Sequence, residues 1–359
     1  MMPPPPLSLL AELTHRCPLQ CPYCANPLEL LKAGAERDTA FWRAVIEEAA
    51  ALGVLQVHFS GGEPTLRRDL AELVRHAAQA GLYTNLITSA VLLDEAKLTT
   101  LADAGLDHVQ VSLQGAVSAT ADRVAAYAGA HAKKLEVARL VPQLGMALTL
   151  NAVVHRQNLE ELPAIIELAL DLDAGRLEVA HVQYHGWAAA NRAALIPDDA
   201  MLAKADALVA AKREELQGRL VIDYVLPDLH ADLPKACMGG WGSRFVNIAP
   251  DGRVLPCHAA DSIPGLSFER AGERPLPDIW AFSEAFQKFR GTAWMQEPCS
   301  SCALKDVDFG GCRCQALALV GDVTAPDPVC HRSSHHARIR AEALSEAAAP
   351  PPEFRFRRM

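Results

Sequence analysis

Between Leu9 and Tyr184, six short apolar runs alternate with helical stripes, and this beat limits the possible folds more than any other feature of the chain. The runs Leu9–Thr14, Val54–Phe59, Leu82–Thr88, His108–Gln114, Met146–Val154 and Leu177–Tyr184 read as strands. Asp38 is placed to N-cap a first helix with Phe41, Val45, Ala49 and Leu52 on one face. Leu70, Leu73 and Ala77 mark a second helix, Asp94–Ala104 a third and residues 118–140 a fourth. The fifth spans Asn158–Leu172, with Leu159, Leu162, Ile166 and Ala169 on one face and Asn158 and Glu161 spaced as a capping box. Strands alternating with helices through short loops predict a parallel sheet. Six such units are too few for a closed eightfold barrel. The expected fold class is α/β: a partial (β/α)6 TIM-like barrel over residues 8–186, with its chemistry at the C-terminal strand ends.

Around this core, the Pro-rich residues 1–7 read as disordered. Residues 187–236 read as a connector with one long helix, Pro197–Leu216. Residues 237–340 form an irregular, metal-dense module, and the Ala/Pro-rich residues 341–359 a flexible tail. A net charge of −9 argues against nucleic acid and against a basic membrane-surface role. No apolar run reaches the roughly 18 residues of a spanning helix. The start lacks the basic and apolar regions of a signal peptide. Ten cysteines clustered at short spacings, without an export signal, suggest metal binding in a reducing cytoplasm.

The first three cysteines, Cys17, Cys21 and Cys24, follow C-x3-C-x2-C just after the first strand. A [4Fe–4S] cluster prefers thiolates at its four corners, so three cysteines leave one site open. The competing reading is a partial zinc site, which would need a fourth protein ligand. A second signal, Gly61-Gly62-Glu63-Pro64, closes the second strand, where two glycines permit close backbone approach and Glu63 can receive an ammonium. The other seven cysteines lie between 237 and 330: Cys237, Cys257 in a G-x4-C frame from Gly252, Cys299-x2-Cys302, Cys312-x-Cys314 and Cys330. Two structural zincs remain open as an alternative there. His181, Tyr184, His185 and Trp187 close the sixth strand, facing either a cavity or the core, where a His or Tyr could accept a proton. Ile279, Phe282, Phe286 and Phe289 make an apolar helical stripe that reads as core.

The cysteine loop, with Tyr23 before its last cysteine, resembles the signature of radical S-adenosylmethionine (SAM) enzymes. That resemblance implies a partial barrel in which SAM chelates the open iron and the Gly61–Pro64 turn holds its amino group. Ser112 and Gln114 resemble the polar pair at the SAM ribose, and Asn151 is expected to line the same cavity. The later cysteines resemble the SPASM extension, which binds two auxiliary iron–sulfur clusters. The chain departs from that pattern at Asp308, which replaces a cysteine, and at the added Cys314. Carried over, one cluster takes Cys237, Cys257, Cys312 and Cys314, and the other Cys299, Cys302, Asp308 and Cys330. The tight Cys312-x-Cys314 spacing suggests a [2Fe–2S] cluster, and the carboxylate should shift its own cluster's potential.

A closer likeness runs over nearly the whole chain, apart from the N-terminal prolines and the tail. Glu12–Cys24, Asn26–Leu30, His58–Pro64, Val111–Gly115, Tyr184–Trp187 and the Asp308/Cys314 variation resemble the PqqA peptide cyclase family of pyrroloquinoline quinone (PQQ) biosynthesis. The resemblance implies a carbon–carbon crosslink between a glutamate and a tyrosine of the precursor peptide PqqA. It also implies the peptide chaperone PqqD and a flavodoxin-like reductant as partners. A thioether- or sulfatase-maturing enzyme of the same class, or a non-catalytic iron–sulfur peptide-binding protein, are the rival readings.

Overall fold

The computed structural model describes residues 3–225 and 229–357. Its strands among those residues are β1 (Ser8–Thr14), β2 (Gln56–Gly61), β3 (Tyr83–Thr88), β4 (His108–Leu113), β5 (Ala147–Val154), β6 (Arg176–His181), β7 (Val221–Val225), β8 (Phe245–Ile248) and β9 (Val254–Leu255). The six expected strands are all present. β7, in the expected connector, and β8 and β9, in the expected irregular module, are additional. The chain divides into two compact units that cut across the expected linear boundaries.

The first unit comprises residues 1–16, 25–84 and 231–340. Its strands run β2–β1–β8–β9, with β2 and β8 parallel to β1 and β9 antiparallel to β8. Leu9, Ala11 and Leu13 of β1 are fully buried, as are Val57 and Phe59 of β2. Helix α1 (Thr39–Leu52) begins where Asp38 accepts from the Phe41 N–H at 2.9 Å, as expected. Its buried face is Trp42, Val45, Ile46 and Ala49: Val45 and Ala49 are buried as expected, while Trp42 and Ile46 take the places expected of Phe41 and Leu52, which are half-buried. Helix α2 (Leu70–Gln79) buries Leu70, Leu73 and Ala77 as read from the sequence. Of the stripe in the module, Ile279, Phe286 and Phe289 are buried but Phe282 is 58% exposed, since the helix ends at that residue. The start of the chain is ordered, which corrects the expectation for residues 1–7 as far as they are described. Pro4 O accepts from Trp280 Nε1 at 2.9 Å, and Leu7 bonds through its N–H to Arg244 O and through its carbonyl to Leu55 N.

The second unit comprises residues 17–24, 85–230 and 341–359. Its strands run β3–β4–β5–β6–β7, all parallel. The register sets Ser112, Asn151, Glu178 and Asp223 in one row across β4 to β7. Helix α3 (Glu95–Asp103) is capped by Asp94. The single helix expected over 118–140 is two, α4 (Ser118–Ala125) and α5 (Ala130–Gln143). The Asp122 carboxylate accepts from Gly129 N and His131 N, which competes with the helical ladder and turns the chain. Helix α6 (Leu162–Asp171) follows a short 3-10 turn, and the capping box does not form. Asn158 instead accepts from His155 N and donates to Gln114 O and Val153 O, while Glu161 accepts from Ala116 N and Val117 N. The long helix spans Asp199–Glu215. Residues 341–357 are not a loose tail: they continue a helix, His336–Ala348, and end with a buried Arg357. Among the described residues, no helix is long and apolar enough to cross a membrane.

Candidate functional site

In the second unit the cysteine loop leaves few of its own hydrogen bonds to hold it. Cys24 N bonds to Cys21 O, and Gln20 N reaches Ala125 O. Leu19 is buried against Val91, Ala125 and Ala130, with Cys17 and Cys21 packed on that cluster. Burial pushes the Cys21 thiol up to about 12; the Lys134 and Arg357 charges oppose this, while Cys24 and Cys17 add to it. The three thiols are thus near neighbours beside two cations, and none of them is in a disulfide. An anionic thiolate set in a buried place needs positive charge, which iron and these cations supply. The loop therefore fits a cluster with three protein ligands.

Gln114 is 2% exposed just beyond β4, and its side-chain oxygen accepts from Lys134 Nζ. Lys134 is itself buried and donates to Ser112 O at 2.9 Å. The Tyr23 hydroxyl lies beside Cys21 and Gln114. The structure therefore gathers Tyr23, Gln114 and the Ser112 backbone at the cysteine loop. Asn151 donates to Glu178 Oε2 at 2.6 Å, and Gln110 reaches the same oxygen at 3.4 Å. Burial first of all pushes Glu178 above the usual carboxylate range. His181 is buried and shares a 2.9 Å hydrogen bond with the Tyr224 hydroxyl, which donates to Asp206 at 2.6 Å. Tyr184 is buried, and His185 and Trp187 lie at the start of a short helix, Gly186–Ala190.

In the first unit Gly61–Pro64 lies against the exit of β1. Gly62 N donates to Thr14 O at 2.6 Å and Glu63 N to Arg16 O at 2.8 Å. A Cβ at Gly61 (φ 122°) would stand 2.2 Å from Thr14 O, and one at Gly62 2.3 Å from Arg16 O. The close approach that the glycines permit is thus first of all to the chain at 14–16. Glu63 is fully buried, and its carboxylate accepts from Thr65 N and Oγ1.

The module assembles both expected ligand sets. The Cys237 and Cys314 thiols hydrogen-bond to Cys257 and hold it well below the usual thiol range, and Cys312 contacts both Cys237 and Cys314. Cys312 caps the helix Arg313–Val320, its sulfur accepting from Gln315 N at 3.4 Å. A helix N-terminus favours a thiolate there. Cys299, Cys302, Asp308 and Cys330 line one cavity together with Asp327. Asp308 Oδ1 accepts from Gly310 N at 2.8 Å. Among the described residues, no three His, Cys, Asp or Glu side chains close around a single ion. A cluster spreads its ligands over several irons and asks for a wider set.

The comparisons agree with this geometry. Residues 11–169 match the model of the Radical SAM superfamily, and residues 237–303 that of an iron-sulfur cluster-binding domain, SPASM. A PqqA peptide cyclase of Rhodopseudomonas palustris is 61% identical over 353 residues, 98% of this chain and 94% of that protein. The chain belongs to the PqqA peptide cyclase family. A second member, from Bradyrhizobium diazoefficiens, is 58% identical over 98% of this chain and 93% of its own. Among solved structures, Streptococcus suis SuiB bound to S-adenosylmethionine superposes with a TM-score of 0.75 at 22% identity, covering 92% of this chain and 77% of that one. Native anSMEcpe with bound AdoMet gives 0.66 at 15% identity over 95% and 96%. These likenesses show the fold, a radical SAM partial barrel with a SPASM module.

Sequence reading of this PqqA peptide cyclase family member missed several residues that hold the sites. Lys134 gave a signal, a lysine among Ala130, Val137, Ala138 and Val141 on the buried face of α5. Asp327 accepts from Cys312 N at 2.7 Å, and burial raises its carboxyl to about 6. A Cβ at Gly311 (φ 75°) would meet it at 2.4 Å. Arg313 sits between Cys312 and Cys314 in sequence and is 1% exposed. It donates to Val323 O, Ala325 O and Gly310 O, lies over the Trp294 ring, and feels the charges of Cys312, Cys299 and Cys237. It therefore faces both ligand sets. Neither Arg313 nor Asp327 belongs to a recognisable spacing.

Proposed function

We propose that this chain joins a glutamate γ-carbon to a tyrosine ring within the peptide PqqA, at the start of PQQ biosynthesis. The observation that carries the reading is the assembly of three thiols in the loop and two four-ligand sets in a chain 61% identical to a PqqA peptide cyclase. When bound to a reduced four-iron cluster, SAM supplies a 5′-deoxyadenosyl radical that can take hydrogen from an unactivated carbon.

Cys17, Cys21 and Cys24 would hold three irons of that cluster and leave the fourth to SAM. Tyr23, Ser112, Gln114 and Asn151 would line the SAM site, and Gly61, Gly62, Glu63 and Pro64 would take its amino group. Lys134 fixes the Gln114 amide, so that side chain meets its ligand already oriented. Cys237, Cys257, Cys312 and Cys314 would hold one auxiliary cluster, of [2Fe–2S] type. Cys299, Cys302, Asp308 and Cys330 would hold the other. Joining the two side chains removes two hydrogens, so one electron and one proton must leave after the first abstraction. The auxiliary sets offer the electron's exit. A PqqD-like chaperone would present the peptide and a flavodoxin-like protein would supply electrons, in a reducing cytoplasm that keeps the thiols unpaired.

The test is anaerobic. Reconstituted, reduced protein with SAM, PqqA and PqqD should form 5′-deoxyadenosine and a peptide lighter by two hydrogens. Deoxyadenosine with an unchanged peptide would remove the assigned substrate. Neither product, from protein shown to hold its clusters, would overturn the enzymatic reading.

A further inference from the structure

The last described residues of the second unit run to the cysteine loop, touching it directly through Arg357 and indirectly through Asn191 and His155. Arg357 is 2% exposed, and its Nη2 donates to Cys17 O at 3.2 Å and Leu19 O at 2.9 Å. Asn191 accepts from Arg355 N at 2.7 Å and donates to both Arg355 O and Pro22 O at 3.0 Å. Phe354 meets the His155 ring edge-on at 6.1 Å, and His155 in turn lies 5.8 Å from the Tyr23 ring. Arg123 covers the Phe354 ring at 5.2 Å. Arg357 holds Cys17 and Leu19 directly, while Asn191 and His155 relay the segment to Pro22 and Tyr23, on the other side of Cys21.

Nothing in the loop itself supplies this support. Its carbonyls at Cys17 and Leu19 point to a donor more than 300 residues away in sequence, at separations of 340 and 338. A fully buried arginine is also costly unless its charge is met. Nε and Nη1 of Arg357 are buried and have no hydrogen-bond partner among the described residues. Its charge bears on the Cys21 thiol. A cubane carried by three thiolates is anionic and becomes more so on reduction, so it is the counter-charge this guanidinium lacks.

We propose that residues 354–357 brace the cysteine loop, with Arg357 as a positioning residue that fixes the Cys17 and Leu19 carbonyls and places positive charge beside the cluster held there. The charge role rests on the reading of this loop as a cluster site; the brace does not. A cation beside the cluster stabilises its reduced, more negative form and so raises its potential. The brace also keeps the three sulfurs in register when the cluster is absent.

The experiment uses the full chain with Arg357→Met, Arg357→Lys and Phe354→Ala. Amide exchange over residues 17–24 is followed in the cluster-free protein, and the potential of the SAM-responsive cluster is followed by EPR in the reconstituted one. Exchange in the loop should quicken by at least about tenfold in Arg357→Met and by less in Phe354→Ala. The potential should fall in Arg357→Met, stay near the wild-type value in Arg357→Lys and Phe354→Ala, and leave the auxiliary signals unmoved. Wild-type exchange in both Arg357→Met and Phe354→Ala would overturn the brace, and Phe354→Ala alone decides it if the arginine variants do not fold. Quickened exchange with an unchanged potential in Arg357→Met would overturn the charge role. If the wild-type chain binds no cluster at Cys17–Cys24, the functional reading fails, while exchange still judges the brace.

Discussion

The cysteine loop and the SPASM module hold their thiols by opposite means. In the loop, support comes from afar: Arg357 on Cys17 and Leu19, Asn191 on Pro22, and Lys134 beside Cys21. Around Cys312 in the module it is local. Cys312 caps its own helix, Asp327 reaches Cys312 N across a separation of 15 residues, and Arg313 is adjacent to Cys312 and Cys314. A set of four ligands can close on its cluster from all sides. In the reading proposed above, the loop leaves one iron for SAM and has to be held from behind, so its support comes from other elements. Both regions bury an arginine, Arg357 and Arg313, each facing thiols.

This contrast can be broken at several strengths. The largest effect is expected from Cys21→Ala, which should bring deoxyadenosine formation to background while both auxiliary signals persist in the EPR spectrum. Cys257→Ala should do the reverse, losing one auxiliary cluster and the crosslinked peptide but keeping SAM cleavage. Loss of the loop's cluster in that variant would show that the two regions are not independent. Arg313→Met leaves the carbonyls of Gly310, Val323 and Ala325 without their donor. Chemical unfolding should show a loss of about 3 kcal/mol, and the potentials of both auxiliary clusters should fall. Gly62→Ala drives a Cβ to 2.3 Å from Arg16 O. The turn must shift, at about 2 kcal/mol, and calorimetry should show weaker SAM binding with little change at the auxiliary clusters.

The smallest effect concerns Glu178. Burial raises its pKa above the unfolded value, so the folded state binds its proton more tightly. The carboxylate therefore lowers stability as pH rises from the unfolded pKa through the raised one. Glu178→Gln should be more stable than wild type at neutral pH and no different in acid, as read from unfolding midpoints across pH.

What was legible in the sequence is what depends on near neighbours. The six strand runs, the Asp38 cap and the cysteine spacings each rest on residues a few positions apart. What was missed depends on distant partners. Asn158 and Glu161 have capping-box spacing, but His155 N, Gln114 O and the amides of Ala116 and Val117 claim their side chains. The break at Ala126 comes from the Asp122 carboxylate turning back to Gly129 and His131. β8 is four buried residues that become a strand because β1 and β9 pair with them, Ser8 opposite Phe245 and Ile248 opposite Val254. The tail looked loose because its composition is Ala- and Pro-rich. Its order comes from Phe354, Arg355 and Arg357 finding His155, Asn191 and the loop carbonyls.

The central claim is that only the loop carries the SAM-binding cluster, with the module's clusters separate from it. An EPR titration of the reduced, reconstituted protein with SAM tests this most directly. SAM should perturb one cluster's signal, leave the auxiliary signals alone, and perturb nothing in Cys17→Ala. A perturbation that survives in Cys17→Ala, or a wild-type spectrum that does not respond to SAM, would contradict it.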